Sequence, residues 1–357
     1  MKKILLFSAV AFLATACGET NEGTAESIAS SAAPVEETAV KTTPVTAENY
    51  ALAETQEIFS ARVKQIAKAT ATNGTGVILH VKAGANPKEK VIMRLNFDTK
   101  YSWLVLDLTK PATITMPDVG GRYQTAWVIS EEHYNPFAFD KPGEYELTEE
   151  NVGTKYAMVV FRTQANIEDP EDMKASDLAM DGLKVTQKDR GEYKASHKWD
   201  KDDILTWRAK YQKIQKEKNI STDDMFGKKG ERTLENHNVG TSFGWGGFTP
   251  EQAVYPIYYP ASTKPQTFTI KDVPVKAFWS ITVYDEGGFV ATETYNINSQ
   301  FAKKNADGSV TIHFGGDPNA DNYMEIFDGW NFGFRLYQPT EDYFNGNWKK
   351  PELVEVK

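Results

Sequence analysis

Cysteine and histidine are scarce in this sequence. Its 357 residues include one cysteine, Cys17, and five scattered histidines with no His-x-x-x-His pair among them. Zinc enzymes need clustered Cys and His ligands, so this scarcity argues against zinc catalysis. A phosphate-binding loop and a dinucleotide fingerprint are also missing, which argues against the common nucleotide-dependent enzymes.

Positive charge is also in short supply. Lys and Arg number 40 against 49 Asp and Glu, which gives a formal net charge of −9, and no long basic run occurs. Nucleic acids and anionic lipid surfaces are bound largely through clustered basic side chains, so the composition disfavours both as partners. The acidic balance is most simply a matter of solubility, and it leaves cationic ligands open as an alternative.

Long apolar runs are absent beyond the N-terminus. Residues 4–13 are apolar but too short to span a bilayer, and they follow Lys2 and Lys3. Small residues then lead directly into Cys17. Residues 1–17 therefore resemble a bacterial lipoprotein signal peptide, in which the cysteine is lipidated and becomes the new N-terminus. Ordinary secretion is the alternative, because Leu13 lies one position further from the cysteine than the usual pattern has it.

This resemblance implies a cellular location for the protein. Lipidation of Cys17 implies a periplasmic protein held at a membrane by a lipid anchor, with the outer membrane of a Gram-negative cell as the expected place. Residues 18–45 are rich in Glu, Thr, Ser and Ala and nearly free of large apolar side chains. Such a segment buries too little surface to offset its chain entropy, so we expect a flexible tether.

Alternating and aromatic-rich segments predict a mainly β protein. In the C-terminal part, strands bounded by turn residues are predicted over residues 277–284, 309–314 and 331–337. In the N-terminal part, strands are predicted over residues 76–82, 91–97, 103–108, 112–116, 122–129 and 156–162. Helices are expected from about Thr46, after the Asp169-Pro170 cap, and from Asp200 to Lys218.

Two blocks of the chain are recognisable. Residues 96–185 contain NFDTKYSWLVLDLTKPATITMPDVGGRY and VVFRTQANIEDPEDMKASDLAMDGLKV, and residues 273–356 contain FWSITVYDEGGF, KKNADGSVTIHFGGDP and GFRLYQP. These blocks resemble the N-terminal and C-terminal domains of the DUF1254/DUF1214 family of bacterial proteins of unknown function. The family has no agreed chemistry, so the resemblance implies an architecture and leaves the activity open.

The expected fold is mainly β and sandwich-like, with peripheral α-helices and two domains. We expect a DUF1254-like domain over residues 46–185 and a DUF1214-like β domain over residues 251–357. Residues 186–250 are expected to form a helical and polar connector between them.

A candidate site is predicted around Asp98. In the predicted strand over residues 91–97, apolar and polar residues alternate, which places Arg94, Asn96 and Asp98 on one face. A solvated outer face explains this alternation equally well. Asn96, Asp98 and Tyr101 also match the family's Asn-x-Asp-Thr-x-Tyr pattern, which implies the polar wall of a pocket. Asp98 is the first candidate for a catalytic acid, base or metal ligand.

Further candidates are arginine side chains that can bind an anionic group and aromatic side chains that can line a pocket. A guanidinium is a planar fork that can clamp an anionic group, although a structural salt bridge to Asp98 or Asp118 is at least as good a role for Arg122. The ligand-binding candidates are Asn96, Asp98, Tyr101, Arg122, Tyr123, Arg162 and Arg335. An aromatic lining of the pocket is expected from Tyr101, Trp103, Tyr123, Trp279 and Tyr284.

Two shorter motifs have both a functional and an ordinary interpretation. The oxygen atoms of Asp317, Asn319 and Asp321 follow an order that resembles a calcium loop, but the flanks predict strands and an Asx-rich turn fits at least as well. Residues 240–244 match the hydrolase pattern G-x-S-x-G, and Asp285 and His313 follow in the hydrolase order. The strand and helix that this motif needs on either side are not indicated, so a glycine-rich loop is predicted.

Two functions of different classes follow from these features. The first is a protein that binds a small polar or sugar-like ligand in an aromatic and arginine-lined cleft. The second is a hydrolase acting on an anionic substrate, for example a phosphate-containing one, with a divalent cation such as Ca²⁺ as a candidate cofactor. Convergence of the polar candidates on one hollow with Asp98 desolvated would favour the enzyme, and their dispersal would favour binding.

Overall fold

The computed structural model describes residues 42–88, 94–167 and 169–357. The signal segment with Cys17 and most of the predicted tether lie outside the described residues. Thr42 to Lys357 form one compact unit. In the described part of the chain, no helix combines the length and the apolar character needed to cross a bilayer.

Helices α3 (Pro170–Asp181) and α4 (Lys201–Lys218) begin at side-chain caps that are visible in the sequence. Asp169 accepts hydrogen bonds from the backbone amides of Glu171 and Asp172, and Asp200 caps the next long helix in the same way. The predictions made from these caps are confirmed. The described residues contain six α-helices: α1 (Tyr50–Thr70), α2 (Glu149–Val152), α3 (Pro170–Asp181), α4 (Lys201–Lys218), α5 (Leu234–Gly244) and α6 (Glu341–Phe344).

Seventeen strands in four sheets make the described part of the chain mainly β, as predicted. The N-terminal strands are β1 (Leu79–Val81), β2 (Thr99–Asp107), β3 (Ala112–Met116), β4 (Gln124–Ser130), β5 (Phe137–Phe139), β6 (Gly143–Leu147), β7 (Tyr156–Gln164) and β8 (Lys184–Gln187). The C-terminal strands are β9 (Ala253–Val254), β10 (Ile257–Tyr258), β11 (Gln266–Ile270), β12 (Trp279–Tyr284), β13 (Asn296–Asn298), β14 (Val310–Phe314), β15 (Tyr323–Met324), β16 (Asn331–Tyr337) and β17 (Leu353–Glu355).

The N-terminal strands form a sandwich. A five-stranded sheet in the order β1-β2-β7-β4-β5 packs on a three-stranded sheet in the order β6-β3-β8. Phe161 and Val128 of the larger sheet share this core with Ile114 of the smaller one. Because side chains alternate along a strand, Val160 and Arg162 of β7 lie on the opposite face of the larger sheet.

The C-terminal strands form a second sandwich. One sheet has the order β10-β16-β12-β13 with β9 beside β16, and the other has the order β15-β14-β11-β17. Phe334 and Ile281 of the first sheet pack against Phe268 of the second. The opposite face of the first sheet carries polar side chains, including Ser280 and Arg335, and these are buried against the segment that precedes β2.

A helical layer joins the two sandwiches in sequence. Helices α1, α4 and α5 share a core in which the predicted stripe of α4 is used, with Ile204 and Tyr211 buried. The prediction of a glycine-rich loop over residues 240–244 is wrong, because these residues form the C-terminal half of α5. Gly240 permits this packing, since a Cβ there would lie 2.9 Å from the Cβ of Met225. The connector is therefore less peripheral than predicted.

The predicted strand over residues 91–97 is wrong in its described part. Residues 94–97 are not a strand, Arg94 has a φ of +53°, and Asn96 forms a turn by accepting a hydrogen bond from the amide of Asp98. The remaining residues, 91–93, lie outside the described ones. Phe97 and Asp98 are both buried because the C-terminal half of the chain covers this segment. The alternation of polar and apolar residues over this segment therefore does not mark a strand with one solvent-exposed face.

Candidate functional site

Asp98 is the centre of a buried polar network between the two halves of the chain. Its carboxylate has no exposed surface and accepts hydrogen bonds on both oxygens. The donors to Oδ2 are Ser280 Oγ at 2.5 Å and the Tyr337 hydroxyl at 3.3 Å. Those to Oδ1 are the side-chain amides of Asn296 at 3.2 Å and Asn298 at 3.5 Å. Four donors satisfy a carboxylate that burial would otherwise make very costly.

Arg335 belongs to the same network. Its side chain lies on the face of β16 opposite to Phe334, but it is only 6% exposed because the segment before β2 covers it. Its guanidinium donates to Thr282 Oγ1 at 2.8 Å, to the Tyr284 hydroxyl at 2.5 Å and to the carbonyl of Arg94 at 2.9 Å. Burial alone would lower the pKa of Arg335, but the nearby tyrosines and Asp98 raise it above its ordinary value.

Asn96 supports this network locally. Its Oδ1 accepts from the amide of Asp98 at 2.8 Å and its Nδ2 donates to Thr99 Oγ1 at 3.1 Å, so its side chain shapes the turn that presents Asp98. Asn96, Asp98 and Arg335 therefore meet, but in an enclosed region and without Tyr101 or Arg122, so the polar candidates do not converge on one open hollow. A group with no accessible surface contacts no substrate, so the geometry gives Asp98 a positioning role between the domains.

A cleft of about 360 Å³ opens beside this network, between the two halves of the chain. One wall comes from the β3–β4 and β5–β6 connections and the other from the residues just before β12, those just after β13 and the residue after β16. This volume is within the range of small-molecule sites. Of the predicted site residues, the cleft is lined by Arg122 and Tyr123. The other lining residues are Met116, Pro117, Asp118, Val119, Gly121, Gln124, Asp140, Lys141, Pro142, Gln164, Lys276, Ala277, Phe278, Ser299, Gln300 and Gln338.

Arg122 is held in place by a salt bridge. It forms a two-pronged contact with Asp172, 2.6 Å from Nη2 to Oδ1 and 3.1 Å from Nη1 to Oδ2, and Nη1 also donates to the carbonyl of Gln164 at 2.7 Å. Burial opposes ionisation of Asp172, but Arg122 and other donors outweigh it and lower its pKa. Arg122 therefore forms a structural salt bridge, but the predicted partners Asp98 and Asp118 are wrong, because the partner is Asp172 at the start of α3.

One hydrogen bond crosses the cleft between the domains. Gln338, which follows β16, donates from its side-chain amide to Asp140 Oδ2 in the β5–β6 connection. Gln338 has a φ of +54°, in the left-handed region that residues other than glycine adopt at a cost of about 1 kcal/mol. The backbone amide of Gln338 donates to the carbonyl of Gln252 at 2.8 Å, which helps to hold this conformation.

Tyr337 connects the cleft to the buried network. Its ring stacks on Phe278, with the ring centroids 4.1 Å apart, and meets Tyr123 edge-on at 5.6 Å. Phe278 and Tyr123 both line the cleft, whereas the hydroxyl of Tyr337 reaches Asp98. The aromatic floor of the cleft and the polar network thus share one buried side chain.

Tyr101 and Arg162 lie on the β2–β7 face that is buried against α1 and the segment after α5. The Tyr101 ring is stacked with Trp103 at 5.7 Å, and the guanidinium of Arg162 lies 5.5 Å from the Tyr101 ring and 3.8 Å from the Phe248 ring. Neither Tyr101 nor Arg162 lines the cleft. The predicted site residues are therefore divided among the cleft, the buried network and this stack.

The predicted aromatic pocket does not form as one unit. Trp279 points into the core of the C-terminal sandwich, whereas Tyr284 lies on the other face of β12 beside Phe97. An odd spacing of five positions on one strand puts these two rings on opposite faces, so they cannot share a pocket. Tyr123 is the only one of the five predicted rings that lines the described cleft.

The two motif candidates have ordinary local roles in the structure. Asp317 Oδ1 accepts from the backbone and side-chain nitrogens of Asn319 in an Asx turn, and Asp321 pairs with Lys303 at 2.5 Å. Within the described ranges, no three His, Cys, Asp or Glu side chains are grouped to hold a metal ion. Ser242 of the G-x-S-x-G match lies inside α5 and donates to the carbonyl of Val239 at 2.9 Å.

Sequence reasoning missed the residues that complete both sites. The unpredicted partners of Asp98 are Ser280, Asn296, Asn298 and Tyr337. A signal was present, because Ser280 alternates with the apolar Trp279 and Ile281 in a segment correctly predicted as a strand. On a strand this apolar, a row of polar side chains is as consistent with a buried polar contact as with a solvent-exposed face. No comparable local signal marks the scattered lining residues Phe278, Gln300 and Gln338.

The comparisons with known proteins agree with this architecture. Residues 75–187 match the model of DUF1254, a protein of unknown function, and residues 263–341 match that of DUF1214, also of unknown function. The first match contains β1 to β8 and the second contains β11 to β16, so each sandwich corresponds to one matched domain. A search of curated protein sequences found no match.

Among solved structures, the fold resembles that of the VPA0106 protein from Vibrio parahaemolyticus. The sequences are 17% identical, the TM-score is 0.58, and the match covers 87% of this chain and 100% of the other. An uncharacterized protein from Burkholderia cenocepacia also matches, with 12% identity, a TM-score of 0.47, and coverage of 86% of this chain and 88% of the other. The likeness to the Vibrio protein shows the fold alone.

Proposed function

Because this chain belongs to the DUF1254/DUF1214 proteins and the two matched domains supply opposite walls of its cleft, we propose that it binds a small, hydroxyl-rich ligand there, such as a sugar. The lining of the cleft is the observation that carries this proposal. The accessible side-chain amides of Gln300 and Gln338 line the cleft together with the rings of Tyr123 and Phe278. The amides of Gln124 and Gln164 also belong to the lining but are buried.

The charges of the lining also support a ligand that is recognised by hydrogen bonds. Lys141 and Lys276 are matched in number by Asp118 and Asp140, and Arg122 is neutralised by Asp172 outside the lining. A wall with balanced charge gives no large attraction for a multiply charged ligand. Amides and hydroxyls placed over an apolar floor are a lining that fixes the orientation of a polar ring.

The hydrolase alternative gains no comparable support from these contacts. Its candidate acid or base, Asp98, is enclosed by four donors and does not line the cleft. We therefore propose binding as the function of this cleft.

A sugar panel and a variant that fills the cleft test this proposal. Thermal unfolding of the full chain is followed with millimolar monosaccharides and disaccharides, because a ligand that binds only the folded state raises Tm. Ala277 lines the cleft and Ala306 lies exposed in a turn away from it, so Ala277→Trp fills the cleft and Ala306→Trp is the matched control. We expect at least one sugar to raise Tm of the wild type and of Ala306→Trp, but not of Ala277→Trp. An equal response of Ala277→Trp, or no response of the wild type to any sugar, would contradict the proposal.

We also propose that the protein works at a membrane surface of the periplasm, anchored through lipidated Cys17. The basis is the signal-like segment over residues 1–17 and the polar composition of residues 18–45. Mass spectrometry of the protein from the membrane fraction should find acyl chains on an N-terminal Cys17, and Cys17→Ser should release the protein from membranes. Recovery of an unacylated wild-type protein would contradict this proposal.

A further inference from the structure

Of the two acidic residues that line the described cleft, Asp140 is the one that the opposite domain holds in place. Gln338 donates from its side-chain amide to Asp140 Oδ2, and both residues are partly exposed. The other acid of the lining, Asp118, is exposed, and its Oδ1 accepts from the amide of Gly120 in its own loop. Asp140 is therefore the carboxylate with the better-defined position among those that a ligand can reach.

Both partners in the Asp140–Gln338 contact are anchored by their own domains. The carbonyl of Gln338 accepts from the backbone amide of Lys276 at 2.9 Å, which ties Gln338 to the segment before β12. On the opposite wall, the hydroxyl of Tyr145 donates to the carbonyl of Lys141 at 2.9 Å and closes the β5–β6 turn that contains Asp140. A binding group that is fixed before the ligand arrives loses little conformational entropy on binding.

The contact leaves acceptor atoms free for a ligand. Asp140 Oδ1 and Gln338 Oε1 have no hydrogen-bond partner among the described residues, and neither oxygen is buried. The amide of Gln338 is neutral, so it leaves the negative charge of the carboxylate in place. Hydroxyl groups donate to a carboxylate in charge-assisted hydrogen bonds, which are stronger than those to a neutral acceptor.

The lysines of the cleft do not outweigh this fixed negative charge. Lys141 and Lys276 also line the cleft, but both are exposed. An exposed lysine loses side-chain entropy when it holds a ligand, and solvent screens its charge. A carboxylate that is already fixed by the opposite domain has neither disadvantage to the same degree.

Given the proposed function, on which this step rests, we infer that Asp140 is the specificity-determining residue of the cleft. Its carboxylate accepts hydrogen bonds from hydroxyl groups of the sugar and repels a sugar that carries a negative charge. The ligand is therefore a neutral or positively charged sugar, and uronates and sugar phosphates are disfavoured.

Calorimetric titration with sugars that differ in charge tests this inference. The probes are glucose, glucosamine and glucuronate, with the corresponding galactose series, all at one ionic strength and at about pH 6, where the amine is protonated. We expect the wild type to bind each uronate about fivefold less tightly than the neutral parent, and each amino sugar at least as tightly as the parent. The main readout is the ratio of the affinities for the amino sugar and the uronate.

Two variants separate recognition by Asp140 from a purely structural contact. Asp140→Asn keeps an oxygen that can accept from Gln338 but removes the charge. It should bind the neutral sugar about tenfold less tightly and bring the affinity ratio to within about twofold of one. Gln338→Leu removes the contact between the domains and keeps the carboxylate, so it should retain the wild-type ratio. A purely structural contact predicts the reverse, because Asp140→Asn preserves it and Gln338→Leu breaks it.

Further variants control for folding and for the general charge of the molecule. Asp140→Ser removes the same charge and decides the matter if Asp140→Asn does not fold. Glu144→Gln is the matched control, since Glu144 is exposed on β6 and does not line the cleft, and it should keep the wild-type ratio. Asp118→Asn should change the ratio less than half as much as Asp140→Asn does.

Three results would overturn the inference while leaving the proposed function standing. They are wild-type binding of the uronate as tight as that of its parent or tighter, an unchanged ratio in the Asp140 variants, and an equal change in Asp118→Asn. Failure of every sugar to bind the wild type would instead contradict the proposed function, and the inference with it.

Discussion

The hydroxyl of Tyr337 donates a hydrogen bond to Asp98 Oδ2 at 3.3 Å, across 239 residues of sequence. The other end of the Tyr337 side chain stacks on Phe278 in the floor of the cleft. Burial and the nearby Asp98 carboxylate raise the pKa of Tyr337 well above its ordinary value, so the hydroxyl keeps its proton as a donor. The contact that joins the two domains therefore also fixes one surface of the proposed ligand site.

Removal of the Asp98 charge should destabilise the whole described unit. In Asp98→Asn, Arg335 loses a nearby carboxylate and one or more of the four donors loses a charged acceptor, so we expect the free energy of unfolding to fall by about 3 kcal/mol. Tyr337→Phe removes a single hydroxyl and should cost about 1 kcal/mol. Denaturant unfolding measures both.

The exposed Asp328 offers a control, because Asp328→Asn should change stability by less than about 0.5 kcal/mol. Equal effects of Asp98→Asn and Asp328→Asn would contradict the buried network.

Glu131 should make stability depend on pH in the neutral range. Burial raises its pKa to about 7, although the side-chain amide of Gln56 donates to it at 3.0 Å. A carboxyl group whose pKa is higher in the folded than in the unfolded protein makes its full contribution to stability below the unfolded pKa of about 4.3. That contribution is lost as the pH rises to the folded pKa of about 7. The expected loss is on the order of 3 kcal/mol.

Two neutralising variants measure this effect. Glu131→Gln should unfold like the wild type near pH 4 and be more stable than it at pH 8, whereas the exposed Glu144→Gln should keep the wild-type pH profile. Urea unfolding between pH 4 and pH 8 gives the profiles. Parallel profiles for the wild type and Glu131→Gln would rule out the raised pKa.

Two glycines of α5 should respond in opposite directions to alanine. A Cβ at Gly240 would lie 2.9 Å from Met225 Cβ and 3.0 Å from the carbonyl oxygen of Met225, so Gly240→Ala should cost about 1–3 kcal/mol through overpacking. The nearest atom to a Cβ at Gly244 is a Phe226 ring carbon at 3.7 Å, an ordinary contact, so Gly244→Ala should be neutral or stabilise by up to about 1 kcal/mol. Thermal unfolding of both variants checks the pair. A flexible loop at residues 240–244 would instead leave both variants close to the wild type.

Local signals account for the elements that the sequence predicts well. Asp169 with Pro170 and Asp200 with its following acids are caps whose hydrogen bonds close within three residues, so their helices are visible in the sequence. Strand β3 is bounded by Pro111 and Pro117 and is predicted to the residue. Residues 240–244 mislead because glycine there serves close packing between elements, which no local pattern shows.

The candidate site could be predicted only in part, for a related reason. The sequence identifies Asp98 and Arg335 as unusual polar residues, but their partners lie far away in the chain, and Ser280 is 182 residues from Asp98. The alternation of polar and apolar residues around Asp98 predicts that the polar side chains share one face. It does not distinguish a face covered by water from one covered by another domain. Arg122 and Tyr123 reach the cleft because they follow the Gly120-Gly121 turn, where φ values of +62° and +86° turn the chain into β4.

A crystal structure of the full chain soaked with the sugar that raises Tm most is the most direct test of where the ligand binds. We predict density for the sugar between residues 276–278 of the C-terminal domain and residues 117–124 of the N-terminal domain, in contact with the amide of Gln300. An empty cleft at a saturating sugar concentration, or density for the sugar elsewhere on the molecule, would contradict the account.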